Sequence, residues 1–183
     1  MRHWLVGICL GLYAIVCQAA ILDDPIEVTV GSESDHVVLS AHFFVPVSRE
    51  QAWGVLVDFE RMPGFLPYLK ESKVLFRRGN LLRVQQKGVV PIAFFDVGYT
   101  SVRDIELFPF SEIYATTVGG DSGLTRSVSR LLQGDRMTEI DYKASWWPTS
   151  SMLANYGMTT ARDLLARQFN AMRTEMLKRS AGK

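Results

Sequence analysis

Hydrophobic and mostly polar positions alternate along much of the chain between His36 and Trp146. In the first of these segments Val37, Leu39 and Ala41 recur at every second position, which is typical of a β-strand with one buried face. Short turn sequences such as Arg78-Gly79-Asn80 separate the segments and favour hairpins. The pattern predicts seven antiparallel strands, at residues 36–45, 68–77, 81–90, 94–107, 112–118, 124–133 and 137–146.

Two stretches have helical spacing instead. Ser48 and Gln51 match a capping box, in which each side chain bonds the backbone N–H of the other residue, so a helix is expected to begin there. Pro63 and Pro67 then close a second, short helix. The longest helical pattern covers residues 150–179, where apolar residues recur every three or four positions. The sequence therefore predicts an α+β domain with one long amphipathic helix laid across an antiparallel sheet.

Four positions within the predicted strands carry more specific expectations. Gly98 interrupts a long strand and predicts a bend or bulge in a curved sheet. Gln86 shares an inward face with Leu82 and Val84, so we expect it among apolar neighbours. Arg103 and Asp141 are interpreted as an ion pair on the wet surface of the sheet.

The stretch around the first predicted helix also carries a resemblance to a known family. Its elements are Val45-Pro46, Trp53, Val57-Asp58-Phe59-Glu60, Phe65-Leu66-Pro67 and Lys73-Val74-Leu75. In these residues the chain resembles the START-like superfamily of polyketide cyclases and coenzyme-Q-binding proteins, and the similarity covers roughly residues 36–179. The resemblance implies a helix-grip fold: a seven-stranded curved antiparallel sheet wrapped around a long C-terminal helix, with two short helices after the first strand.

A curved sheet gripped by one helix leaves room for a cavity, and relatives in the superfamily imply lipid or aromatic ligands. We therefore expect an apolar pocket that binds a hydrophobic small molecule such as a lipid, a quinone or a polyketide-like aromatic. Gln86 and Tyr142 are the groups expected to orient the ligand. The predicted wall comprises Phe65, Leu82, Val84, Gln86, Phe95, Tyr99, Tyr142, Trp146, Tyr156, Leu164 and Phe169.

The N-terminal residues have the form of a secretory signal peptide. Arg2 precedes an apolar run at residues 4–16, and Cys17-Gln18-Ala19 supplies a small-residue cleavage site. The run is shorter than the roughly 20 residues of a membrane-spanning helix, so an uncleaved anchor and a lipidated Cys17 are the less favoured alternatives. We expect a signal peptide at 1–19, an N-terminal segment at 20–35, a ligand-binding domain at 36–183, and export to the periplasm.

The charge and the composition limit the kinds of molecule that the protein is expected to bind. The formal net charge is +1, and removal of the leader with Arg2 cancels it. No basic stripe of the kind that binds nucleic acid is visible. Both cysteines, Cys9 and Cys17, lie in the leader. Transient contact with a membrane and the oligomeric state are left open.

The sequence predicts no catalytic residues, metal site or cofactor. His36 and His42 are the histidines beyond the leader, and no nucleophile–histidine–acid set or metal-ligand spacing accompanies them. His42 is interpreted as a surface or rim histidine. A non-catalytic carrier or sensor is thus the favoured function. The alternatives are an aromatase or cyclase that uses tyrosines or Gln86 to polarise carbonyls, and an interaction module with Trp146, Trp147 and Phe108-Pro109-Phe110 as its rim.

Overall fold

The computed structural model describes residues 25–92, 95–134, 137–149 and 151–182. Its strands are β1 (Glu27–Glu33), β2 (His36–Val45), β3 (Leu69–Arg78), β4 (Leu81–Ile92), β5 (Phe95–Phe108), β6 (Glu112–Gly120), β7 (Leu124–Gln133) and β8 (Thr138–Trp147). Its helices are α1 (Arg49–Leu56), a 3₁₀ helix (Phe59–Gly64) and α2 (Ser151–Ala181). The predicted signal peptide and its cysteines lie outside the described residues.

All the strands belong to one antiparallel sheet with the order β1-β2-β8-β7-β6-β5-β4-β3. Strand β1 and strands β3 to β7 each pair with the next strand along the chain. The exception is β2, which pairs with β8, so that His42 lies opposite Asp141. The α+β class, the antiparallel sheet and the long C-terminal helix of the predicted fold are confirmed.

The sheet has eight strands rather than the predicted seven. The additional strand is β1, which the sequence indicates only as a brief strand-like piece at Ile26–Val30. It pairs with β2 along its whole length, from Glu27 opposite His42 to Glu33 opposite His36. Because Val28 and Val30 alternate with polar residues, the strand has a half-buried face and an exposed face, as an edge strand does.

The two short helices follow β2 as predicted. Ser48 caps α1: its hydroxyl accepts a hydrogen bond from the Gln51 N–H at 3.3 Å, and the Gln51 side chain accepts one from the Ser48 N–H at 2.9 Å. The 3₁₀ helix buries Phe59 and Met62. The chain then turns through Tyr68, whose φ of 67° lies in the left-handed region, into β3.

The core lies between the inner face of the sheet and the helices. Helix α2 contacts β1, β2 and α1, and its Phe169, Met172 and Met176 are buried. These side chains recur at intervals of three and four residues, which places them on one face of the helix. The most enclosed apolar side chains of the sheet and α1 are Ala41, Val45, Ala52, Val55, Leu82, Val84, Ile105, Leu131 and Ile140.

The bulge that the sequence offers as one reading of Gly98 is absent from the pairing of β4 with β5. The pairing of β4 with β5 continues through Gly98 without a shift, and Gly98 lies opposite Val89. The irregularity falls instead in the pairing of β5 with β6, between Val102 and Arg103, and β3 carries two further shifts against β4. Such irregularities increase local twist, which lets a large sheet curve around a helix.

The described helices include none with the length and apolar character needed to cross a membrane.

Candidate functional site

An interior cavity of about 270 Å³ lies between the curved sheet, the 3₁₀ helix and α2. Strands β4 to β8 supply one side of its wall, and the 3₁₀ helix, the segment that follows it and α2 supply the other. The lining residues are Leu56, Phe59, Met62, Leu66, Pro67, Leu69, Gln86, Tyr99, Ser101, Arg103, Ile105, Ile113, Ala115, Ser122, Thr125, Ser127, Ser129, Tyr142, Gln168, Phe169 and Met172.

Part of the cavity wall is apolar. Phe169 of α2 is buried, and its ring centroid lies 5.1 Å from that of Tyr142 and 5.4 Å from that of Phe43. Met172, one turn further along the helix, and Met62 of the 3₁₀ helix are also buried beside the cavity. Methionine and phenylalanine side chains offer adaptable contacts to an apolar ligand group.

The cavity wall also holds a charged group, Arg103 of β5. Its Nη2 donates a hydrogen bond to Gln86 Oε1 on β4. Gln86 is buried, and its Nε2 donates to Ser72 Oγ at 3.2 Å and contacts Met62 Sδ at 3.6 Å. The Nε of Arg103 is buried and has no hydrogen-bond partner among the described residues. The Arg103 side chain therefore keeps part of its donor capacity unused.

Burial changes the proton affinities of the groups around the cavity. It lowers the pKa of Arg103, because a low-dielectric environment disfavours the charged form. A guanidinium stays protonated at neutral pH even so. Burial raises the pKa of Tyr99 and of Tyr142, and the nearby charge of Arg103 opposes this rise in both cases. Both phenols are consequently protonated hydrogen-bond donors at neutral pH.

Gly88 makes room for Tyr99. The two residues lie opposite each other in the β4–β5 pairing. A Cβ atom on residue 88 would lie 2.5 Å from the Tyr68 carbonyl oxygen and 2.8 Å from Cε1 of Tyr99. A side chain at this position would collide with both, so glycine allows the Tyr99 ring to lie against the backbone of β4 beside the cavity.

The cavity approaches the surface between α2 and the segment after the 3₁₀ helix. Gln168 of α2 lines the cavity and is exposed to solvent. Leu66 and Pro67 line the cavity and also a surface groove that they share with Arg167 and Asn170 of α2. Leu66 and Pro67 thus connect the cavity wall with the surface on this side.

A second depression, of about 570 Å³, lies on the outer face of the sheet. Val38, Val128 and Thr116 contribute to it, and its cations, Arg126 and Lys143, are exposed. An exposed cation is fully hydrated, whereas Arg103 is half-buried in the interior cavity and its Nε is enclosed by protein. The interior cavity is therefore the stronger candidate for a ligand site.

The sequence matches the profile of one protein family over much of its length. The profile of the family described as polyketide cyclase / dehydrase and lipid transport matches residues 45–169, more than half of the chain. The chain belongs to this family. The matched region runs from the end of β2 to the middle of α2 and includes every residue that lines the cavity except Met172. No curated protein is similar enough to count as a match.

Solved structures agree with the polyketide cyclase and lipid transport family in fold. A protein from Thermus thermophilus has a TM-score of 0.69 at 14% identity, over 78% of this chain and 99% of its own. A STAR-related lipid transfer protein from Xanthomonas axonopodis has a TM-score of 0.69 at 12% identity, over 84% and 94%. The ZhuI aromatase/cyclase from Streptomyces sp. R1128 has a TM-score of 0.65 at 16% identity, over 78% and 94%. At these identities the likeness concerns the fold alone.

Four of the residues that the sequence predicts for the cavity wall do line the cavity: Gln86, Tyr99, Tyr142 and Phe169. Their contact with a ligand stays a prediction. Leu82 and Val84 are buried in the core next to the cavity but do not line it. Leu164 is half-buried on α2 and does not line it either.

The other predicted wall residues have different surroundings. Phe65 borders the surface groove between α2 and the segment after the 3₁₀ helix. The guanidinium carbon of Arg179 lies 5.6 Å from the centroid of its ring. Trp146 donates its indole N–H to the Ser122 carbonyl oxygen at 2.8 Å and does not line the cavity. The side chains of Phe95 and Tyr156 lie outside the described part of the structure.

The cavity wall is more polar than the sequence analysis expects. Gln86 lies beside Ser72 and Arg103 rather than among apolar neighbours alone. The predicted surface ion pair of Arg103 with Asp141 is wrong, because Arg103 faces inward and Asp141 lies three strands away on β8. The alternation that places Tyr99 and Ile105 inside also places Arg103 inside, and this signal was sufficient to find it.

The outer aromatic and histidine residues have partners within the protein. His42 Nε2 lies 3.0 Å from Glu139 Oε1 on the outer face, away from the cavity. Trp147 stacks on His36 with ring centroids 4.7 Å apart, and Phe110 contacts Trp53 at 5.8 Å. Among the described residues, no three His, Cys, Asp or Glu side chains are arranged to hold a metal ion.

Proposed function

We propose that the protein binds a small hydrophobic molecule in the cavity between the sheet and α2 and carries it without chemical change. The main support is the interior cavity itself, whose volume of about 270 Å³ is just below the roughly 300–1,000 Å³ of typical small-molecule pockets. Phe169, Met172 and Met62 provide an apolar surface for the body of the ligand, and the groups around Arg103 provide polar contacts.

The composition of the wall favours binding over catalysis. Within the described residues, the side chains that line the cavity include no Asp, Glu, His, Cys or Lys. The titratable groups that remain are Arg103, Tyr99 and Tyr142, all of which hold their protons at neutral pH. A general base needs a pKa near the working pH, and none of these groups has one.

Two measurements test the proposal. Protein purified under native conditions is unfolded in organic solvent, and small molecules released from it are identified by mass spectrometry. Separately, the neutral fluorophore N-phenyl-1-naphthylamine is titrated into ligand-free protein. We expect a saturable rise in fluorescence, because the probe emits strongly in an apolar environment.

A pair of adjacent substitutions identifies where the probe binds. Ser129 lines the interior cavity. Val128 does not line this cavity and belongs to the depression on the outer face of the sheet. Ser129→Phe is expected to fill the cavity and abolish binding, and Val128→Phe is expected to leave it unchanged. Retained binding in Ser129→Phe together with loss in Val128→Phe would contradict the proposal.

An aromatase or cyclase is the second candidate. It is favoured by the protonated phenols of Tyr99 and Tyr142 beside Arg103, since three donors in one cavity can polarise a substrate carbonyl. Tyr99→Phe and Tyr142→Phe variants should then fold normally but lose turnover of a poly-β-keto substrate. Recovery of such a substrate unchanged after incubation with wild-type protein would exclude this candidate.

A further inference from the structure

We infer that the ligand carries an anionic group of the carboxylate class and that Arg103 binds it. The inference rests on the proposed binding function and specifies the chemistry of the ligand beside Arg103 in the same cavity. It follows from the position of one cation, from the groups that orient it and from the size of the cavity.

The first observation is a partly buried positive charge, with a fully enclosed Nε atom, that lacks a negative partner among the described residues. The cavity wall in the described part of the chain has no carboxylate. Asp104, the next residue in the sequence, faces the outer side, where its oxygens accept hydrogen bonds from Arg83 at 2.6 and 2.8 Å. A buried ion without a counter-charge is unfavourable, and an anionic ligand would supply that counter-charge.

The second observation is that the guanidinium is held in place. Gln86 Nε2 donates to Ser72 Oγ, which turns Gln86 Oε1 toward Arg103 Nη2. The reverse orientation would bring the amide N–H groups against the donors of the guanidinium. Gln86 therefore positions Arg103, while the buried Nε of Arg103 has no partner among the described residues.

The neighbouring groups and the cavity volume narrow the chemistry further. Tyr99, Tyr142 and Ser101 also line the cavity and are hydroxyl donors, so an acceptor-rich group suits this part of it. A planar carboxylate can accept two parallel hydrogen bonds from a guanidinium fork. The volume of about 270 Å³ suits the body of a small aromatic or short-chain acid.

Isothermal titration calorimetry with two matched compounds tests the inference. The probes are 2-naphthoate and 2-naphthamide, which have the same ring system and differ in a carboxylate against a neutral amide. We expect wild-type protein to bind the carboxylate at least about tenfold more tightly, as a charge-assisted hydrogen bond provides. In Arg103→Gln the two affinities should agree within about twofold.

Arg83→Gln is the matched control. In the β4–β5 pairing, Arg83 lies opposite Asp104, which is the residue next to Arg103. The variant therefore removes the same charge from the outer face of the sheet, close to Arg103. It should keep the preference for naphthoate. If Arg103→Gln does not fold by circular dichroism, Arg103→Lys keeps the charge without the planar fork and is expected to reduce the preference by at least about threefold.

The outcomes separate the two proposals. Equal binding of both compounds to wild-type protein, or an unchanged preference in folded Arg103→Gln or Arg103→Lys, overturns the anion inference and leaves the binding function standing. Failure of both compounds and of N-phenyl-1-naphthylamine to bind overturns the binding function and the inference with it.

Discussion

Replacement of Arg103 by methionine is expected to stabilise the ligand-free protein. Burial lowers the pKa of Arg103, so the folded state holds this charge less favourably than the unfolded chain does. A buried ion costs several kcal/mol, whereas the lost hydrogen bond leaves Gln86 Oε1 unpaired at a cost of about 1–3 kcal/mol. We therefore expect a net gain of about 1–2 kcal/mol in the free energy of unfolding, or about 2–8 °C in Tm.

The measurement is urea denaturation of ligand-free protein followed by circular dichroism. A double variant, Arg103→Met with Gln86→Met, removes both hydrogen-bonding groups and should be at least as stable as Arg103→Met alone. Arg83→Met, which removes an exposed arginine paired with Asp104, serves as the control and should change stability little. A free energy of unfolding for Arg103→Met below the wild-type value would refute the argument that this charge is held at a cost.

Three further predictions concern other parts of the chain. Ser48→Ala removes the side-chain half of the capping box of α1 and should lower the free energy of unfolding by about 1 kcal/mol in urea denaturation. Gly88→Ala should cost about 1–3 kcal/mol and weaken probe binding, because its Cβ meets the Tyr68 carbonyl, whereas Gly98→Ala has space and should have little effect on either measurement. The exported protein should begin at Ala20 by intact mass, and retention of Met1 would contradict the predicted leader.

Local signals in the sequence predicted much of the fold because they depend on near neighbours. The capping box of Ser48 and Gln51 fixes the start of α1 through two hydrogen bonds within one turn. Alternation along β4 correctly places Leu82, Val84 and Gln86 on the inner face. The same rule misses β1 as a full strand, since its stability depends on pairing with β2 and not on its own composition.

The candidate site was harder to predict because it depends on distances between elements. Whether Leu82 lines a cavity or fills the core is decided by how closely α2 approaches the sheet, and the sequence does not specify that distance. The sequence favours a surface ion pair for Arg103, since charged residues are seldom buried without a partner. Arg103 lies an even number of residues from Tyr99 and Ile105, so all three side chains point to the same face of β5. This spacing predicts the inward direction of Arg103 correctly, since alternation in a strand is set by backbone geometry.

The pairing of β2 with β8 determines when the protein can acquire its binding site during synthesis. Phe43 lies opposite Ile140, so most of the chain separates two strands that are adjacent in the sheet. Contacts between such distant residues form late, because the loop entropy must be lost before they contribute. A nascent chain therefore stays without a closed cavity until β8 and α2 have been made. If the leader acts as predicted, the chain can cross the membrane before the cavity closes, and the proposed uptake of a ligand would follow delivery.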